Sequence, residues 1–134
     1  MDVSSYISQQ PVERQQILTA IHQVILSQDA TVTSSVEPMM GKEMIQYKAR
    51  GMFKYGLSSV QQYISLHLLP IYGSAVLHEK YQALLPLAKF QKGCINFSSE
   101  AEMPLAVVKD LIRDCSVIDL FAIRQLQLAS KKKK

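Results

Sequence analysis

Cys94 and His67 offer the most direct chemistry in this chain. A thiol beside an imidazole can pass its proton to the ring and act as a nucleophile, which requires the two residues on adjacent strands and on the same face. The plainer reading, and the preferred one, makes Cys94 a small ordinary sheet residue. The three histidines, His22, His67 and His78, stand at no metal-binding spacing. The residue four on is Leu26 after His22 and Gln82 after His78, where a helical metal pair would carry a second histidine. No dedicated metal site and no cofactor is expected from such a set. No G-x-S-x-G, P-loop or G-x-G-x-x-G run is present, so no catalytic residue is assigned.

A second set of polar residues falls on one side of the strands. Side chains alternate between the two faces of a strand. With Ile45, Tyr47, Phe53, Tyr55, Ile64, Leu66, Leu68, Ile95 and Phe97 turned toward helices, the other face carries Gln46, Lys48, Lys54, Tyr63, Ser65, His67, Cys94 and Asn96. On this reading the face is polar and basic and holds no acid. An ordinary solvated sheet face is the default account of it. The functional account is a shallow site for a small polar or anionic molecule. Lys48, Lys54 and His67 would hold a carboxylate or phosphate, Ser65 and Asn96 would orient it, and Tyr63 would form a stacking wall.

The elements that must position these residues follow from periodicity. Ile17, Leu18, Ile21, Val24 and Ile25 make the apolar stripe of a helix over about residues 11–28, opened by Pro11. Val32–Val36 is β-branched and small, which favours a strand, with Pro38 at its edge or end. Two short segments, 44–49 and 52–57, flank a tight turn at Ala49–Gly51, and 61–69 alternates up to Pro70. Residues 76–85 return to helical spacing and Gly93–Ser98 reads as a short strand. Pro104 opens a helix with Leu105, Val108, Leu111, Ile112 and Cys115 on one side, and a second helical piece spans 117–128. The fold class is therefore α+β in two layers: N-terminal helices, an antiparallel sheet of about five strands covered on one face, and C-terminal helices. One domain over residues 1–130 is expected.

Composition narrows the function classes. The chain has 134 residues, 48% of them apolar, enough for a core without disulfide staples. The net charge of +4 lies wholly in Lys131–Lys134, a tail expected to be disordered, so no nucleic-acid partner is expected. Within the body, residues 1–41 sum to −3, residues 42–92 to +5 and residues 93–130 to −2. The basic excess thus falls in the sheet-forming segment, where it would give one face an attraction for anions. No apolar run approaches the roughly 18 residues of a membrane span. Two cysteines outside any C-x-x-C pattern, and an acidic start without an apolar stretch, suggest a reducing cytoplasmic location. The piece 117–128 carries Val117, Ile118, Leu120, Phe121, Ile123, Leu126 and Leu128 nearly all round a helix, which predicts a homodimer through it.

The ordered signals Val36-Glu37-Pro38-Met39-Met40-Gly41, Ile45-Gln46-Tyr47, Tyr63-Ile64-Ser65-Leu66-His67, Lys92-Gly93-Cys94-Ile95-Asn96-Phe97 and Met103-Pro104-Leu105 resemble the YdhG-like family, a domain of unknown function. The resemblance covers about residues 3–119. It implies two N-terminal helices, a five-stranded antiparallel sheet and C-terminal helices, and some members are described as frataxin-like intracellular iron chaperones. Iron of that kind needs a ridge of hard carboxylate ligands. The long N-terminal helix offers only Glu13 and the next strand only Glu37, with Gln15, Gln16 and Gln23 in place of acids.

Overall fold

Asp2 accepts the Ser5 N–H at 2.7 Å and so caps the short helix α1 (Val3–Ser8). Pro11, with φ −51°, precedes the long helix α2 (Val12–Gln28), whose Ile17, Leu18, Ile21 and Ile25 are buried. The computed structural model describes residues 1–39 and 41–132. Strands β1 (Val32–Met39), β2 (Lys42–Ala49), β3 (Met52–Ser59) and β4 (Ile64–Leu68) follow as a meander. The β2–β3 turn takes Arg50 at φ 54° and Gly51 at φ 79°. Two left-handed residues in succession match the twist of the flanking strands, which makes this a tight two-residue hairpin. Pro38 sits in β1, an edge strand, where its missing N–H costs no ladder bond.

The chain then forms the four-residue helix α3 (Leu69–Tyr72) and helix α4 (Ala75–Leu84), the latter capped by Ser74. The hairpin β5 (Lys89–Gln91) and β6 (Cys94–Phe97) closes a six-stranded sheet in the order β1-β2-β3-β4-β6-β5, antiparallel throughout. Helices α5 (Leu105–Ser116) and α6 (Leu120–Lys132) complete the chain. The expected α+β architecture is thus observed, with one strand more than expected. The extra strand is β5, three residues long at the sheet edge and too short to show a period. The tail also differs from expectation: α6 runs on through Lys131 and Lys132, while Lys133 and Lys134 lie outside the described residues.

The core lies between the sheet and the pair α2 and α5. Leu18, Ile21 and Ile25 from α2, and Val108, Leu111, Ile112 and Cys115 from α5, meet Ile45, Tyr47, Tyr55, Leu57, Leu66 and Ile95 from the sheet, all fully buried. No helix among the described residues is long and apolar enough to cross a membrane.

One irregularity reassigns two side chains. Tyr47 pairs with Tyr55 but Lys48 pairs with Phe53, so Lys54 is the extra residue of a β-bulge. The bulge reverses the expected facing of residues 53 and 54, while Tyr55 and Leu57 keep theirs. Phe53, expected to face the helices, lies on the open face, and Lys54, expected on the open face, points into the helix layer. There its ammonium meets the Asp29 carboxylate at 2.8 Å, with side chains 3% and 0% exposed. Asp29 ends α2 and Ser116, whose carbonyl is 3.4 Å from the same ammonium, ends α5. A cation between two helix C-termini is electrostatically well placed.

Candidate functional site

Directly opposed residues of antiparallel strands share a face. One row across the open face therefore runs Ser35, Gln46, Gly56, His67, Cys94 and Gln91, from β1 to β5. A neighbouring row brings together Ser58, Ser65, Asn96 and Lys89. The alternation argument thus brings four of its expected residues, Ser65, His67, Cys94 and Asn96, into one cluster. His67 and Cys94 meet the condition set for a thiol–imidazole pair: adjacent strands, same face, with Sγ 2.9 Å from Nδ1. Burial pushes the His67 ring below its usual value and the Cys94 thiol above its own, the latter opposed by a hydrogen bond with Ser65. Both groups are therefore held neutral. Beside them Gly56 leaves room on the face that neighbouring side chains fill. A methyl there would lie 2.5 Å from Met44 Sδ and 2.9 Å from Phe53 Cζ, so these two side chains close over the glycine.

A cleft of about 570 Å³ opens at the end of this face, between the β3–β4 loop and the α4–β5 loop. Gln62 and Tyr63 form one wall, Ala88 and Lys89 the other, and Gln91 and Asn96 the floor. Asn96 is 7% exposed, and its Nδ2 donates to Gln91 Oε1 at 3.1 Å. Its Oδ1 is buried and has no hydrogen-bond partner. An unpaired buried acceptor costs about 1–3 kcal/mol, so it marks a place where a donor belongs.

Sequence reasoning missed the residue that shapes the cleft wall. Arg14, on α2, donates to Ser59 Oγ at 2.9 Å, to the Tyr63 carbonyl at 3.3 Å, to the Gln61 carbonyl at 3.2 Å and to the Val60 carbonyl. One guanidinium thus holds the whole β3–β4 loop, and with it Tyr63. The signal available in the sequence was a single cation in an otherwise acidic N-terminal segment.

The lysines expected to attract an anion are not free to do so. Lys54 is buried with Asp29 on the other side of the sheet. Lys48 is on the open face but pairs with Glu37 at 2.9 Å. Glu37 of β1 lies opposite Met44 on that same face, which therefore does contain an acid. Ser35 and Lys48 both hydrogen-bond to its carboxylate, which is held below the usual range. Lys89 and Glu102 both line the cleft and bring one charge of each sign. Among the described residues no three His, Cys, Asp or Glu side chains converge in a way that could hold a metal ion.

Comparison with protein-family models, with curated proteins and with solved structures returns no match to this chain.

Proposed function

We propose that this chain is a small-molecule binding module whose ligand is polar and uncharged. The observation that carries this reading is the Asn96 carboxamide, buried at the floor of the cleft with its Oδ1 unpartnered. A ligand N–H or O–H would satisfy that acceptor once the carboxamide turns toward the cleft, and the Tyr63 ring offers a flat wall for a planar group. The expectation of an anionic ligand is narrowed, because Lys48 and Lys54 are both neutralised by acids. An NMR titration tests the reading with neutral amides and polyols on one side and inorganic phosphate and acetate on the other. Neutral probes are expected to give saturable shifts at Tyr63, Gln91 and Asn96 that disappear in Asn96→Ala. Saturable shifts from phosphate alone, or none from any probe, would reject it.

A second reading is a homodimer through α6. Its support is the helix itself, in which Ile123, Leu126 and Leu128 are exposed by 44%, 71% and 43%. The iron-chaperone role implied by the family resemblance ranks below both, since α2 contributes only Glu13, and Asp29 just beyond its end is committed to Lys54.

A further inference from the structure

We propose that Cys94 and His67 form a reactive thiol–imidazole pair on the open sheet face, and that the pair takes soft carbon electrophiles of the α,β-unsaturated carbonyl class. The pair stands on its own geometry. The two residues are directly opposed on β4 and β6, and Sγ lies within hydrogen-bond reach of Nδ1. Both are partly exposed, whereas Cys115 is fully buried in the core. Burial keeps the ring neutral, and a neutral imidazole is a proton acceptor. Burial also keeps the thiol protonated, so the proton has to leave as the new bond forms. No charged group among the described residues hydrogen-bonds to either partner. The Lys48–Glu37 pair on β2 and β1 lies beyond Gly56, and Lys89 stands at the β5 edge.

The surroundings of the pair select the electrophile. On the β3 side Met44 and Phe53 close over Gly56 and present apolar surface. On the other side stand Ser65 and the unpartnered carboxamide oxygen of Asn96. Cys94 and Asn96 are two residues apart on one strand, about 7 Å. A short unsaturated amide spans that gap, with its terminal carbon at the sulfur and its N–H at Asn96 Oδ1. In the reaction the sulfur bonds to the β-carbon and the thiol proton passes to His67 Nδ1. The electron pair of the carbon–carbon double bond moves onto the carbonyl as an enolate. The α-carbon then takes the proton back from the imidazolium, leaving a thioether and a neutral pair. The preference for an amide rests on the Asn96 reading above; the reactivity of the pair does not.

The test treats the full chain with acrylamide and, separately, with methyl vinyl ketone, which has the same reactive carbon but no N–H. Peptide mass spectrometry follows the rate at Cys94 and Cys115 as a function of pH. Cys94 is expected to react and Cys115 to stay intact. The Cys94 rate should rise through an ionisation below the ordinary imidazole value of 6.5 and level off by neutral pH. In His67→Gln the rate at neutral pH should fall at least about 10-fold. Its rise should move toward the thiol's own ionisation, above 9.0. Asn96→Ala should slow acrylamide relative to methyl vinyl ketone. A wild-type rate that rises only above 9.0, or the same profile in His67→Gln, overturns the pair. The wild-type profile decides alone if that variant does not fold. An unchanged rate ratio in Asn96→Ala overturns the amide preference and counts against the cleft while leaving the pair standing.

Discussion

A buried ion pair stabilises a fold only while both partners are present. Asp29 has four donors from three residues around its carboxylate: Lys54 at 2.8 Å, the Tyr55 hydroxyl at 2.7 Å, and the N–H and hydroxyl of Thr31. Burial opposes its ionisation, but these hydrogen bonds outweigh burial and hold its pKa below the ordinary 3.8. A depressed carboxylate contributes stability that is present above its unfolded pKa and lost as pH falls through the folded one. Lys54→Met leaves the carboxylate buried without its cation, so a loss of about 3 kcal/mol or more is expected near neutral pH in urea melts. In the variant burial dominates and raises the Asp29 pKa, so protonation relieves the defect there while it weakens the wild type. The gap between wild type and variant should narrow steadily on acidification toward about pH 3. A constant gap across that range would contradict the assignment. The sequence could not show this pair. Strict alternation sends Lys54 outward, and only the bulge, one unpaired residue between Tyr47 and Lys48 on the partner strand, turns it in.

At the scale of elements, what was legible followed the strength of the period. Helix α2 and the β2–β3 turn were legible because apolar residues spaced from Ile17 to Ile25 and an Arg-Gly turn each leave a local mark. Strand β5 and helix α3 left none, being three and four residues long. Of the candidate site, Ser65, His67, Cys94 and Asn96 were legible because β4 and β6 are regular. The cleft beside them was not, because loops build it. On the proposed binding reading Arg14 is the element-scale control, because it fixes the loop that carries Tyr63. Arg14→Ala is expected to speed amide hydrogen exchange at residues 60–63 while leaving the β4 and β6 amides protected. Binding of a neutral amide in the cleft should weaken about 5-fold, close to 1 kcal/mol. Unchanged exchange at 60–63 would show that the loop holds itself.

For the whole molecule, the segregation of charge along the sequence has a structural meaning different from the expected one. Cations of the basic middle segment reach acids of the flanks: Lys48 to Glu37, Lys54 to Asp29, Lys80 to Asp114 and Arg50 to Asp119. The excess is spent in joining segments and does not converge on the sheet face. The Arg50 pair also anchors α6. Its guanidinium lies 3.2 Å from the Asp119 carboxylate and 4.1 Å from the centre of the Phe121 ring, and Asp119 caps the helix by accepting the Ala122 N–H at 3.0 Å. Beyond this anchored first turn, every residue from Ile123 to Ala129 is exposed. The helix borders a groove of about 800 Å³ lined by Leu69, Tyr72, Ile118, Leu120, Ile123 and Leu128, an apolar surface that monomers seldom leave open. The homodimer proposed above would cover it, each α6 meeting the other copy's groove about a two-fold axis. Multi-angle light scattering at tens of micromolar is expected to give the mass of two chains. Ile123→Glu with Leu126→Glu should return it to one, with unchanged sheet signals because neither residue reaches the core. A wild-type mass of one chain at that concentration would refute the dimer and leave the groove as a surface for some other occupant.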